Sequence, residues 1–180
     1  MGSGKSSVGR ELPALLASVC GACDFLDLDE YICVSEGMSV QDIFRKYGEG
    51  EFRRIETRCL EDIIKRYSRS HLVLALGGGA VMANSELIHE NTECFYLNAA
   101  VETLEKRLQG DTSRPLLQSG DMKSVIEDLM SRREETYRRT AHHTVQTDGK
   151  SIKDIAREIL SIYVRILQAQ EIKDAVQTYA

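Results

Sequence analysis

The sequence lacks the features of several common protein classes. No apolar run approaches the ~20 residues that a membrane-spanning helix needs. Lys and Arg total 23 against 28 Asp and Glu, and this acidic balance disfavours nucleic-acid binding. No signal-peptide pattern is visible near the first residues. We therefore expect a cytoplasmic enzyme with neither nucleic acid nor membrane as its partner, and we expect it to be a monomer.

The cysteines and histidines do not form a metal-binding pattern. Cys20 and Cys23 make a CxxC, but no second Cys or His pair completes a zinc site. The pair follows a predicted helix, whereas a redox CxxC normally opens one. His142 and His143 have no carboxylate or cysteine arranged beside them and are interpreted as a helix end. Free thiols are predicted for all five cysteines.

Strands alternate with helices along the chain. This order predicts an α/β fold with a parallel sheet and ligands at the carboxyl ends of its strands. A Gly-, Ser- and Asp-rich stretch from Asp111 to Met122 predicts a mobile loop. Pro13 predicts a kink or an early end to the first helix. The predicted strands are 24–29, 71–76, 94–98 and 144–147, and the predicted helices are 5–19, 39–47, 50–67, 83–90, 101–109, 123–140 and 151–167.

The chain opens on part of a phosphate-binding loop. Gly4-Lys5-Ser6 is the second half of G-x-x-x-x-G-K-[ST], whose first glycine would fall before Met1. Glycines let backbone N–H groups turn toward phosphate oxygens, the lysine reaches the β- and γ-phosphates, and the serine hydroxyl can ligate Mg²⁺. The predicted ATP-binding residues of this loop are Gly2, Ser3, Gly4, Lys5, Ser6 and Ser7.

Two carboxylates follow at the end of the next strand. Asp27 and Asp29 are two residues apart, which on a strand places both on one face near its carboxyl end. Such a pair suits Mg²⁺ on one side and a hydroxyl nucleophile on the other. The alternative interpretation is an exposed acidic edge.

These motifs and several downstream ones together resemble the shikimate kinase family, from Gly2 to about Leu167. The pieces occur in the family's order, and no one of them predicts the others. They are GSGKSSVGREL (2–12), FLDLDEYI (25–32), Gly37 to Val40 with Asp42 to Phe44, Gly48-Glu49 with FRRIE (52–56), LALGGGAV (74–81), RPLL (114–117), and Arg133 with Tyr137-Arg138-Arg139.

The resemblance implies ATP-dependent phosphorylation of the 3-hydroxyl of shikimate, on the route to chorismate and aromatic amino acids. It implies a three-layer P-loop kinase fold with a closing lid. The family's sheet has the order 2-3-1-4-5, and its strand 1, which precedes the phosphate loop, is not in this sequence. The expected division is a domain over 1–167, with a lid at about 111–122, and a C-terminal extension over 168–180.

The resemblance also assigns roles to residues of the substrate site. Asp29 matches the carboxylate that holds the reacting hydroxyl and is the candidate base. Arg53 and Arg133 match two arginines that clamp the substrate carboxylate, for which planar guanidinium groups are suited. An alternative is that these arginines pair with neighbouring glutamates on a helix surface. Gly77, Gly78 and Gly79 are expected to let the substrate lie against bare backbone, with Gly78 as a donor.

The remaining assignments concern the nucleotide. Lys5 and the lid residue Arg114 are expected to neutralise phosphate charge during transfer. Ser6 and Asp27 are expected near Mg²⁺, the latter through water. Arg107 and Lys150 lie where the family contacts the nucleotide, although solvated surface charge is an equal alternative for both.

Two other functions remain open at this point. One is a related P-loop kinase for gluconate or a nucleotide, which would lack the joint occurrence of these motifs. The other is an impaired form that binds ligand without turnover, because an absent central strand leaves backbone groups unpaired at about 1–3 kcal/mol each. We expect Met1 to be an internal methionine of a longer protein, and the chain as given to bind ATP weakly and to have low stability.

Overall fold

The computed structural model describes residues 2–109 and 122–178, with side chains as far as residue 172. Four short strands alternate with eight helices in this part of the chain. The strands are β1 (Cys23–Asp27), β2 (His71–Ala75), β3 (Phe95–Asn98) and β4 (His143–Gln146). The helices are α1 (Lys5–Cys20), α2 (Leu28–Glu36), α3 (Val40–Arg66), α4 (Gly78–Ala83), α5 (Ser85–Asn91), α6 (Val101–Leu108), α7 (Met122–Thr140) and α8 (Ile152–Thr178).

The strands form two parallel pairs. β1 pairs with β2 in the register Cys23 with His71, and β3 pairs with β4 in the register Phe95 with His143. No hydrogen bond joins β2 to β3 within the described ranges. The α/β class and the parallel pairing predicted from the sequence are confirmed.

Both pairs direct their carboxyl ends at the N-terminal loop. The Ser6 hydroxyl donates to the carboxylate of Asp27, where β1 ends, at 2.6 Å. On the other pair, the Arg107 guanidinium donates to the carbonyl of Thr147, just after β4, at 2.8 Å and to the carbonyl of Gly2 at 3.5 Å. The four strands therefore run in one direction, and their carboxyl ends meet at one edge of the molecule.

Helices cover both faces of the strands. Successive residues of β2 point to opposite layers, as the pleat requires: Val73 packs on the cluster of α1 and α8, whereas Leu72 and Leu74 pack on that of α2 and α3. This is the predicted three-layer arrangement. The first cluster comprises Val8, Leu12, Leu16, Leu97, Val145, Ile155, Ala156 and Ile159, and the second Leu28, Ile32, Ile43, Phe52, Ile55, Cys59, Ile63 and Ala80.

The first predicted strand is too long by two residues. β1 ends at Asp27, and Asp29 lies in the first turn of α2, a helix that the sequence interpretation missed. The Asp27 side chain accepts the backbone N–H of Asp29 at 3.0 Å, and this cap turns the chain into a helix. The prediction that both carboxylates share one strand face is therefore wrong.

Two other helix predictions need correction. α1 continues through Pro13 to Cys20, so the predicted early end is wrong; buried Leu12 and Leu16 hold the second half against the core. Downstream, α4 begins at Gly78 within the glycine run, and α5 follows it after Asn84, in place of one helix over 83–90. The expected two helices over 39–67 are present, since Gly48 (φ 79°, ψ 173°) breaks α3.

The chain beyond Leu167 continues as helix α8 to Thr178. All five cysteines are free thiols, as predicted. None of the helices described is both long and apolar enough to cross a bilayer.

Substitution of Ile32 tests the packing of α2. Ile32 is 0% exposed, so Ile32→Ala removes buried methylenes and leaves a cavity. We expect the free energy of unfolding, measured by urea denaturation, to fall by about 2–5 kcal/mol. The control Val34→Ala lies on the same helix but is 84% exposed, and its effect should stay within about 0.5 kcal/mol. Equal losses in the two variants would show that α2 is not packed as described.

Candidate active site

The N-terminal loop presents backbone donors at the carboxyl edge of the strands. Gly4 is the N-cap of α1 with φ 89°, a left-handed conformation that glycine adopts without strain. Because glycine offers no capping side chain, the first-turn N–H groups of α1 and its positive dipole end are directed at the loop. This geometry suits an anion such as a phosphate. Lys5 is the first residue of the helix.

Ser6 and Asp27 are brought together as the sequence suggests. Their side-chain oxygens are 2.6 Å apart, and Asp27 uses its other oxygen to cap α2. Among the described residues no group of three or more His, Cys, Asp or Glu side chains could hold a metal ion. One carboxylate and one hydroxyl nevertheless fit Mg²⁺, which is commonly held by one or two protein oxygens together with substrate phosphates and water.

The glycine run is the point at which three predicted substrate residues converge. An added Cβ at Gly77 would lie 3.4 Å from the Asp29 carboxylate, and one at Gly79 would collide with the Arg53 guanidinium. A Cβ at Gly78 would meet the Tyr137 hydroxyl and lie 3.7 Å from Arg133. Side chains from α2, α3 and α7 thus approach one bare stretch of backbone. Any side chain there would occupy the space that they share.

The Arg53 guanidinium is held by carboxylates of its own helix. It donates to Glu56 at 2.6 Å and to Glu49 at 3.4 Å. Glu56 is 1% exposed, and desolvation raises its pKa above the ordinary value, although the hydrogen bond and the charge of Arg53 act against the rise. The helix-surface pairing considered for Arg53 is therefore present, but it fixes a guanidinium that also faces Gly79.

Arg133 differs from Arg53 in this respect. The proposed pairing with Glu134 is not seen, because Glu134 binds Arg138 at 2.6 Å instead. Within the described ranges, Arg133 makes no ion pair. Its place beside Gly78 leaves its guanidinium directed toward the shared space.

Sequence reasoning missed the residues that position the glycine run. The Tyr137 hydroxyl donates to the Gly78 carbonyl at 3.0 Å. Buried Asn84 donates to the Ala80 carbonyl at 3.0 Å and accepts the Thr57 hydroxyl at 2.7 Å, which ties α4 to α3. Tyr137 belongs to the motif Tyr137-Arg138-Arg139, but the motif alone gives it no role. Asn84 had no local signal, since its partner Thr57 is 27 residues away.

The nucleotide-side arginine and lysine are both engaged by protein groups. Arg107 donates to the Thr147 hydroxyl at 3.0 Å as well as to the carbonyls of Thr147 and Gly2, so it holds the loop to β4. Lys150 forms an ion pair with Glu158 at 2.5 Å. Arg107 is exposed despite these hydrogen bonds, and Lys150 and Glu158 form a surface ion pair with side chains that are 35% and 38% exposed. Arg114, with most of the expected lid, lies outside the described residues.

Known proteins match this chain over most of its length. The family model described as shikimate kinase matches residues 1–163. The shikimate kinase of Acinetobacter baumannii (strain AYE) is 38% identical over 164 residues, covering 90% of this chain and 87% of that protein. The one from Geobacter sulfurreducens is 40% identical over 161 residues, covering 88% and 84%. The solved structure of an Acinetobacter baumannii shikimate kinase in complex with shikimate superposes with a TM-score of 0.81 at 37% identity, over 92% of this chain and 89% of that one.

The buried carboxylate of Glu56 makes stability depend on pH. The folded-state pKa of Glu56 is raised above the ordinary 4.5, so at pH values between the unfolded and folded pKa the folded chain binds more protons than the unfolded chain. This contribution to stability is therefore complete below pH 4.5 and is lost as pH rises through the folded pKa. We therefore expect the unfolding free energy of the native chain, measured relative to that of Glu56→Gln, to decrease as pH rises from 4 to 8.

Urea denaturation at several pH values measures this difference. Glu61→Gln, at an exposed position of the same helix, is the matched control and should change stability by no more than about 0.5 kcal/mol at pH 7. A Glu56→Gln difference that does not vary with pH would contradict the desolvated carboxylate.

Proposed function

The chain belongs to the shikimate kinase family, and we propose that it transfers the γ-phosphoryl group of ATP to the 3-hydroxyl of shikimate at the space around Gly77–Gly79. The observation that carries this assignment is the convergence of Asp29, Arg53 and Arg133 on that run. Shikimate is a small carboxylate with three hydroxyls. Two guanidinium groups and one carboxylate around bare backbone match its charge and its hydroxyl donors.

In this proposal the two arginines orient the substrate carboxylate. Arg53 is rigid because Glu56 and Glu49 hold it, and Arg133 completes the clamp from α7. The N–H groups that begin α4 at Gly78 add backbone donors for a substrate oxygen. Preformed donors of this kind position the substrate at little further entropic cost.

Asp29 is then placed to accept the hydroxyl proton. As the substrate oxygen forms its bond to the γ-phosphorus, the O–H proton passes to the Asp29 carboxylate. The bond from the γ-phosphorus to the bridging oxygen breaks at the same time, and ADP leaves with that electron pair. Asp29 is exposed, so its carboxylate is accessible to the substrate.

The N-terminal loop serves the nucleotide. Gly2, Ser3, Gly4, Ser6 and Ser7 supply backbone donors around the phosphates, and Lys5 adds its charge toward the transferred group. The Ser6 hydroxyl and the Asp27 carboxylate would hold Mg²⁺, which when bound neutralises phosphate charge. Arg107 supports this loop through Gly2, and Lys150 and the lid residue Arg114 are proposed as further nucleotide contacts.

Replacement of Asp29 tests its role as the base. Asp29→Asn keeps the shape but accepts no proton, and we expect kcat to fall about 10²–10⁴-fold while KM for shikimate changes little. The assay is ADP release coupled to NADH oxidation. Asp24→Asn, at an exposed position on β1, is the control and should keep its kcat. Turnover of gluconate but not shikimate by the unaltered chain would reject the substrate assignment.

Exchange of Arg53 for lysine separates geometry from charge. Arg53→Lys keeps the positive charge but loses the planar fork, so KM for shikimate should rise at least about tenfold. Arg54→Lys is the neighbouring control, because Arg54 is 82% exposed and contacts only Glu51 among the described ion pairs. Similar KM values in the two variants would remove Arg53 from the substrate site.

A further inference from the structure

Gly9 lies inside helix α1, one turn after Ser6, and is buried. It is not one of the glycines with a positive φ, so its backbone conformation is open to other residues. Glycine in the interior of a helix lowers its stability relative to alanine. The reason for glycine at this position therefore lies in what surrounds it.

The ring of Phe25 occupies the space beside Gly9. A Cβ added at Gly9 would lie 2.5 Å from Cε2 and 3.2 Å from Cδ2 of that ring, well inside the separation at which carbon atoms attract. Phe25 is the middle residue of β1 and is half-buried. Helix α1 therefore rests directly on the Phe25 ring, and the ring leaves no room for a side chain at position 9.

The next residue of α1 contacts the same ring. The Arg10 Cζ atom is 4.8 Å from the centroid of Phe25, and Arg10 also donates to Glu30 of α2 at 2.5 Å. Both side chains of that ion pair are more than half exposed, so the pair itself adds little to stability. The tight contact at Gly9 is thus the one that fixes the distance between the ring and the helix.

The contact of Gly9 with Phe25 lies next to the hydrogen bond of the Ser6 hydroxyl to the Asp27 carboxylate. Residues three apart share a helix face, and residues two apart share a strand face. Gly9 follows Ser6 by three residues on α1. Phe25 precedes Asp27 by two residues on β1. The two elements therefore meet at two successive points, and their separation at the ring determines their separation at the two oxygens.

A bound Mg²⁺ would be sensitive to this separation. The ion demands near-octahedral geometry with oxygen ligands at about 2.0–2.1 Å. The two protein oxygens proposed to hold it come from different elements, Ser6 from α1 and Asp27 from the end of β1. A small displacement of α1 from β1 therefore changes the fit of the metal, whereas the phosphate contacts of the N-terminal loop move together with the helix.

We propose that Phe25, packed against the bare backbone of Gly9, is a positioning residue for the metal. Its ring sets the separation of α1 and β1 at which the oxygens of Ser6 and Asp27 hold Mg²⁺. The inference rests on the proposed function, because it concerns the metal that accompanies ATP. Gly9 and Phe25 act through these two oxygens and take no part in the chemical step themselves.

The test measures binding of mant-ATP, a fluorescent ATP analogue, to the 180-residue chain with excess Mg²⁺ and with EDTA. The ratio of the two Kd values is the gain in affinity that Mg²⁺ provides. In Gly9→Ala the added methyl group displaces α1 from the ring, and we expect this gain to fall at least about fivefold. The Kd in EDTA should change less than about twofold, because the loop keeps its backbone donors and Lys5.

A compensating substitution separates positioning from a general loss of packing. Phe25→Val removes the ring atoms that a Cβ at position 9 would meet. Alone it leaves α1 without its spacer and should also lower the Mg²⁺ gain. Combined with Gly9→Ala it should restore the gain to within about twofold of the native value, a strong departure from additivity. A double variant no better than the two single variants would overturn the proposal.

Gly50→Ala is the matched control. Gly50 lies on α3, and a Cβ added there meets open space in the part of the chain that the structure describes, so this variant should keep the native Mg²⁺ gain. Circular dichroism melting checks that each variant is folded. If Gly9→Ala is not, Phe25→Val and the double variant decide.

Two outcomes distinguish this proposal from the proposed function. A Mg²⁺ gain that is unchanged in both Gly9→Ala and Phe25→Val would overturn the positioning role, even where both variants melt at a lower temperature, and would leave the kinase assignment standing. Absence of any Mg²⁺ gain in the native chain would reject the metal at Ser6 and Asp27 and this proposal with it. ADP release with shikimate, measured on the native chain, reports on phosphoryl transfer separately.

Discussion

The glycine run at residues 77–79 is the constraint on which the site depends. Three helices send side chains to this one stretch, and there is room for them only because the stretch has no Cβ atoms. The Arg53 guanidinium lies against Gly79, and the Tyr137 hydroxyl fixes the run by donating a hydrogen bond to the carbonyl of Gly78. The run also begins helix α4 at Gly78. The absence of side chains at Gly77–Gly79 thus leaves the space in which Asp29, Arg53 and Arg133 approach one another.

A buried carboxylate maintains this arrangement at a cost. Desolvation raises the pKa of Glu56, and the hydrogen bond and positive charge of Arg53 offset part of that rise. Buried ion pairs of this kind add little to stability on balance, because desolvation offsets much of the attraction. What the pair provides is a fixed orientation for the guanidinium. Burial of the Glu56 carboxylate is thus the source of both the desolvation cost and the fixed position of the Arg53 guanidinium.

The sequence predicted which residues lie near one another at the candidate site better than it predicted the local backbone. The phosphate loop follows from its motif and the parallel pairing from the alternation of strands and helices, whereas the substrate arginines were assigned through the resemblance to the family. The end of β1 was misplaced because Asp27 has two roles at once: it ends an alternating pattern that favours a strand, and its side chain caps α2. The role of Asn84 could not be predicted, since it depends on Thr57 from a distant helix. The partial exposure of residues 71–74 of β2 was also not predicted, because a continuous apolar run indicates a strand suited to burial but does not identify its neighbours.

Asp27 has a further consequence. One of its oxygens begins a helix and the other receives the hydroxyl of the phosphate loop. A single side chain therefore couples the register of a strand end, the direction of a helix and the placement of an anion-binding turn. Such a residue cannot be optimised for one of these tasks without altering the other two.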